Sequence, residues 1–141
     1  MDKSSWGPQM WHSMHMIALG YPEHPKHADR VMYRKFYSEL GQVLPCAACT
    51  VNYKKHLDEL PIDKYLDDNA ALFEWTVKLH NVVNLIIHKP TLTLDEARTY
   101  YMTYQQVEKS LRGGAIWLIL LGVAVTVPLG FMVHNRLKRK S

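Results

Sequence analysis

From residue 1 to residue 112 the apolar side chains recur at spacings of three and four and never settle into alternation, which is the period of a helix and not of a strand. That pattern removes architectures built on sheets. Ser4 or Ser5 is expected to cap a first helix, with Pro8 in its first turn and Trp11, Met14 and Ala18 along one face. The run YPEHP interrupts it. A second helix carries Met32, Phe36, Leu40 and Val43 at spacings of four, four and three and ends between Gly41 and Pro45, where Pro45 biases Leu44 away from helical geometry. Pro45 opens a third helix bearing Cys46, Cys49, Tyr53 and Leu57. Asp68 is placed to cap a fourth, whose Leu72, Trp75, Leu79, Val82 and Ile86 face inward before Pro90. Thr93 and Glu96 spell a capping box for a fifth helix with Ala97, Tyr101, Tyr104 and Val107. Short connections imply antiparallel neighbours, so the expected fold is all-α: an antiparallel four-helix bundle with a short fifth helix.

One segment does not belong to that bundle. Residues Ala115 to Val133, AIWLILLGVAVTVPLGFMV, hold nineteen residues without a charge. As a helix they cover about 28 Å, close to the hydrocarbon thickness of a bilayer, and a chain of 141 residues cannot surround them on every side. The expected organisation is therefore a domain at 1–112, a C-terminal transmembrane helix at 115–133 and a basic tail at 134–141. The start MDKSSWGPQM has no apolar signal core, which favours a tail anchor with the domain facing the cytosol; the cations of the tail favour the opposite side. The balance leans to the cytosol.

The tail also explains the overall charge. The formal +4 comes entirely from Arg136, Lys138, Arg139 and Lys140, because residues 1–114 carry thirteen basic and thirteen acidic side chains. A phosphate-binding groove needs its surplus cations on the folded domain, so a nucleic-acid partner is excluded.

The only two cysteines, Cys46 and Cys49, stand three apart in LPCAACTVNY. At a helix start both sulfurs share one neighbourhood, and the helix N-terminus stabilises a thiolate by roughly 0.3 to 1 kcal/mol. Three readings compete: two unreactive buried thiols, a Cys2His2 zinc site completed by His24 and His27, and a redox disulfide, which the pairing favours. A thioredoxin-type site needs a preceding strand, and none is expected here. An all-helical dithiol protein points instead to a bound two-electron cofactor. The fourth helix, WTVKLHNVVNLIIHKP, sets His80 and Asn84 four apart on one face, with Asn81 one step round and Lys89 beyond. Buried without partners, such groups cost about 1 to 3 kcal/mol each, and a cofactor rich in ring nitrogens and hydroxyls supplies partners.

These residues resemble the Erv/ALR family of FAD-linked sulfhydryl oxidases, especially the small forms of large DNA viruses, over about residues 6 to 104. The matching parts occur in family order: Trp6-Gly7, Trp11 and His15, Tyr21-Pro22, the CAAC pair after a proline, Trp75 leading into His80-Asn81-x-Val83-Asn84, and Lys89-Pro90. The resemblance implies an FAD-binding homodimer in which Trp11, His15, His80, Asn84 and Lys89 contact FAD, with Gly7, Asn81 and Tyr101 beside them. It makes Cys46 the exposed sulfur attacked by substrate and Cys49 the sulfur next to the flavin. The implied activity is thiol oxidation: disulfides form in protein substrates, and the electrons pass through FAD to dioxygen, giving hydrogen peroxide. No metal is part of it.

Two departures stand out. A second disulfide that braces many relatives would fall at Val77 and about Leu94, and a family arginine just after Gly7 is here Pro8. With no further cysteine as shuttle, the chain is expected to take electrons directly from another protein's dithiol, such as a small thioredoxin-like carrier. The expected setting is a virion or host internal membrane, with disulfides made for virion proteins in a reducing cytosol. The alternative from another class is a membrane-anchored, zinc-stabilised interaction module without catalysis.

Overall fold

A computed structural model describes residues 2–103. The expected transmembrane helix at 115–133, the tail at 134–141, and Tyr104 and Val107 lie outside the described residues. No described helix is long and apolar enough to cross a membrane.

Among the described residues there are helices and no strand. Helix α1 is Lys3–Leu19, α2 His27–Leu40, α3 Ala47–Glu59 and α4 Asn69–Ile86; α5 starts at residue 94 and runs to the end of the described residues at 103. Short 3-10 turns follow α2 (Gly41–Val43) and α3 (Ile62–Tyr65). The residues through Tyr101 form one compact unit.

The expected caps appear at two of three starts. The Asp68 carboxylate accepts the Ala71 N–H at 2.7 Å, and Glu96 accepts the Thr93 N–H at 2.8 Å while the Thr93 hydroxyl accepts the Glu96 N–H at 3.2 Å. The first helix departs from expectation. It begins earlier, with Asp2 as its cap in place of Ser4 or Ser5, and Pro8 therefore lies inside the helix. Pro45 stays outside α3, whose N-cap is Cys46.

The core is built around α4, from which Leu72, Phe73, Trp75, Thr76, Val77 and Leu79 are buried. Helix α1 packs on it with Met14, His15 and Ala18 inward. Trp11 stacks on His80 while His15 bonds Thr76, so rising numbers on α1 meet falling numbers on α4 and the two run antiparallel.

Two of the apolar stripes are buried only in part. On α2 the inward residues are Tyr37 and Leu40, whereas Met32 is 59% exposed and Val43 beyond the helix is 72% exposed. The Tyr37 hydroxyl donates to the Met14 carbonyl at 2.8 Å, a bond that no aliphatic residue at that position could make. At the far end of α4, Ile86 is exposed and lines a cavity.

Candidate active site

The N-terminus of α3 carries the sulfurs. Cys46 has an extended backbone and serves as N-cap, its Sγ accepting the Cys49 N–H at 3.2 Å. The two cysteines are joined in a disulfide. Because the first turn of a helix has unpaired N–H groups and the positive end of the macrodipole, a thiolate released at Cys49 is stabilised where it forms.

Cys49 also stands on the wall of a cavity of about 600 Å³, and Cys46 does not. That volume is in the usual range for sites that hold small molecules. Helix α1 contributes Gly7, Trp11 and His15, each four residues from the next and so on one face. From α4 come His80, Asn81 and Asn84; Lys89 lies just beyond that helix and Tyr101 comes from α5. The residues singled out from the sequence are thus brought together, apart from Cys46, which is bonded to a residue of the wall without being part of it.

The wall includes the imidazoles of His15 and His80. His80 lies flat on Trp11, with ring centroids 4.2 Å apart and planes 8° from parallel. His15 is buried between Thr76 and His80, its Nδ1 2.8 Å from the Thr76 hydroxyl and its Nε2 3.1 Å from His80 Nδ1. Burial, then the neighbouring His80, pushes the His15 pKa down to about 3. Burial, then the Lys89 charge, pushes His80 down to about 4. Both imidazoles are neutral at pH 7.

The remaining groups are held by the exit from α4. Asn81 uses its carboxamide as a clamp, donating to the Leu92 carbonyl at 2.7 Å and accepting the Leu92 N–H at 3.1 Å. The Lys89 N–H reaches back to the Asn84 carbonyl at 2.8 Å, and the His88 N–H to Leu85 at 3.3 Å. This is a Schellman closure, with His88 in the left-handed region (φ 55°) where glycine is usual. It places Lys89 at the cavity.

Two features were not singled out from the sequence, and a third, Trp6, stood there in the Trp6-Gly7 match without a site role. Thr76 lies one turn before His80 on the same face, and that spacing was the available signal. His56 is buried two turns after Cys49 and lines the cavity; its Nδ1 makes no hydrogen bond and lies 3.9 Å from a Glu59 carboxylate oxygen. The Trp6 indole N–H, also on the wall, is buried without a partner. The four residues of the zinc alternative are not brought together: the two sulfurs are bonded to each other, and no group of three or more metal-binding side chains occurs among the described residues.

Comparison with known proteins adds the lineage. The sequence model of the Erv1 / Alr family matches residues 8–105. The chain belongs to the Erv1/Alr family. It is 38% identical over 112 residues to a probable FAD-linked sulfhydryl oxidase of Acanthamoeba polyphaga mimivirus, covering 79% of this chain and 74% of that protein. A putative FAD-linked sulfhydryl oxidase of Invertebrate iridescent virus 6 is 32% identical over 103 residues, covering 70% of this chain and 93% of its own length. In fold the chain is similar to the crystal structure of the yeast Erv1 core, with a TM-score of 0.64 and 23% identity over 67% of this chain and 79% of that one. In this Erv1/Alr chain Val77 is buried and Leu94 packs against the core, so both positions make apolar contact, as the sequence implies.

Proposed function

We infer that this chain is an FAD-dependent thiol oxidase, which forms disulfide bonds in protein substrates and passes the electrons to dioxygen, giving hydrogen peroxide. One observation carries the reading: half of a helix-capping disulfide stands on the wall of a cavity lined by an indole, two neutral imidazoles and carboxamides. The residues fit FAD. A Cβ built on Gly7 meets nothing within 4 Å, which leaves open space beside the helix, and the unpartnered Trp6 N–H offers a donor at the wall. Trp11, His15, His80 and Asn84 would hold the cofactor, with Tyr101 and Gly7 as packing surface. Lys89 supplies a cation suited to phosphate. Asn81 acts through the Leu92 backbone it clamps.

When bound, FAD supplies a ring that accepts two electrons and yields them to dioxygen. The protein's own steps begin outside the cavity. A substrate thiolate attacks Cys46 Sγ, the disulfide breaks, and Cys49 leaves as a thiolate beside the α3 N-terminus. A second substrate thiolate attacks the substrate sulfur of the mixed disulfide and releases Cys46. The substrate is oxidised and the protein pair is reduced. Re-forming the Cys46–Cys49 bond gives up two electrons and two protons, on the side where Cys49 meets the cavity.

The same reading extends to partners. Val31, Met32, Phe36 and Val43 form an exposed apolar surface on and just after α2, which suits a homodimer. The electron donor is a protein dithiol, for which a thioredoxin-like carrier is the proposed form. The 115–133 segment is proposed as a single membrane span, and the protein as a viral one working at a virion or internal membrane with its domain in the cytosol.

The test is direct. The purified full-length chain is expected to be yellow, and its flavin absorption should bleach when a dithiol is added without oxygen. Cys49→Ser should keep the colour and lose dithiothreitol-dependent oxygen uptake. A colourless protein, or a variant with undiminished uptake, overturns the reading.

A further inference from the structure

We propose that Thr76 is a positioning residue that fixes the tautomers of His15 and His80, so that His80 offers the cavity a bare ring nitrogen at Nε2. The argument is one of hydrogen counting. The Thr76 Oγ1 is 2.7 Å from the Phe73 carbonyl oxygen, which has no hydrogen to give, so the single hydroxyl hydrogen is donated there. Oγ1 is then only an acceptor toward His15 Nδ1, 2.8 Å away, and Nδ1 must carry the hydrogen. A neutral imidazole has one N–H, so His15 Nε2 is bare. It lies 3.1 Å from His80 Nδ1, which must in turn be the donor. His80 is neutral as well, and the hydrogen it holds on Nδ1 leaves Nε2 as an acceptor.

Thr76, His15 and His80 thus pass one hydrogen-bond polarity from the backbone of α4 to the cavity wall. Thr76 and His15 are fully buried or nearly so. The Trp11 stack fixes the plane of His80, and the Thr76 chain fixes which atom of that plane is the acceptor. A ligand group that meets His80 must therefore bring an N–H or O–H. Without the threonine hydroxyl His15 has no acceptor for its Nδ1–H, the preference for that tautomer is lost, and His80 is free to present an N–H instead. The ligand selectivity rests on the flavin reading above; the tautomer chain does not.

The experiment uses the full-length chain labelled with ¹⁵N-histidine in detergent, with and without FAD, and reads tautomers from ring-nitrogen shifts and their proton couplings. Both His15 and His80 are expected to carry hydrogen on Nδ1. Thr76→Val, of nearly the same shape, should move His15 toward the Nε2–H form and weaken FAD binding at least tenfold, whereas Thr76→Ser should restore both. An Nε2–H tautomer in the unmodified protein overturns the proposal without any variant. So does Thr76→Val with unchanged shifts. Shifts that move while FAD affinity does not would sink the link to the ligand, and an unmodified chain that binds no FAD would sink the flavin reading while leaving the tautomer result to stand or fall on its own.

Discussion

The two sides of α4 use the same kinds of residue to opposite ends. On the packed side, aromatic donors terminate on backbone carbonyls: Trp75 Nε1 on Leu60 at 2.9 Å, Tyr21 on Leu66 at 3.0 Å and Tyr37 on Met14 at 2.8 Å. On the hollow side, two of the three buried polar side-chain atoms found without a hydrogen bond among the described residues, Trp6 Nε1 and His56 Nδ1, line the cavity. The packed side ties four elements together and satisfies its own polar groups. The hollow side leaves these two atoms without a hydrogen bond, which is unfavourable for folding and is offset where a ligand supplies a partner.

If that division is right, damage to the packed side should register as lost stability. Trp75→Ala removes a fully buried indole that meets Tyr37 edge to face and bonds the end of α3. It is expected to cost about 3 to 5 kcal/mol in urea unfolding. A loss below about 1 kcal/mol would break the comparison, since the fold would then not depend on this side.

The hollow side should instead register in pH. Burial pushes the His15 pKa down to about 3 and the His80 pKa down to about 4, from an ordinary value of 6.5. Between those limits the unfolded chain binds more protons than the native one, so stability is fully present above about pH 6.5 and falls as the pH drops toward 4. Each histidine contributes a slope of up to about 1.4 kcal/mol per pH unit. Urea midpoints measured from pH 7 to pH 4 check it, with His15→Gln/His80→Gln as control. An equally steep slope in the control would place its source elsewhere.

How far the sequence discloses these two sides differs for a physical reason. Local rules were legible: the caps at Asp68 and at Thr93 with Glu96 depend on a few adjacent residues and occur as written. So did the grouping of Trp11, His15, His80 and Asn84, since helical spacing and a known order of motifs put them on facing stripes. The direction of α2 was not legible. Periodicity shows that Met32, Phe36 and Val43 share a face, but not that the bundle would rather bury Tyr37, whose hydroxyl has a carbonyl waiting on α1. Thr76 was missed for a related reason, because its role depends on an imidazole sixty-one residues away.

Gly7 sharpens the contrast between fold and site at a single atom. In an otherwise ordinary helix, Gly→Ala gains about 0.5 to 1 kcal/mol, and here the added Cβ meets nothing within 4 Å. Gly7→Ala should therefore raise the melting temperature of the FAD-free chain. If the open space belongs to FAD, the same methyl should weaken FAD binding, by about tenfold for a loss of 1.4 kcal/mol. Gains in both would show that the space has no occupant.

The smallest effect is expected at His88, where the fold itself yields to the site. Its left-handed backbone closes α4 and turns Lys89 toward the cavity, in a conformation that disfavours any residue with a Cβ. His88→Gly relieves that cost and should stabilise the chain by up to about 1 kcal/mol, offset in part by the greater freedom of glycine in the unfolded state. Thermal unfolding measures the gain, and FAD titration measures whether Lys89 stays in place. Higher stability with unchanged FAD affinity would mean that the turn alone positions the lysine; higher stability with weaker binding would mean that the histidine side chain contributes to the site directly.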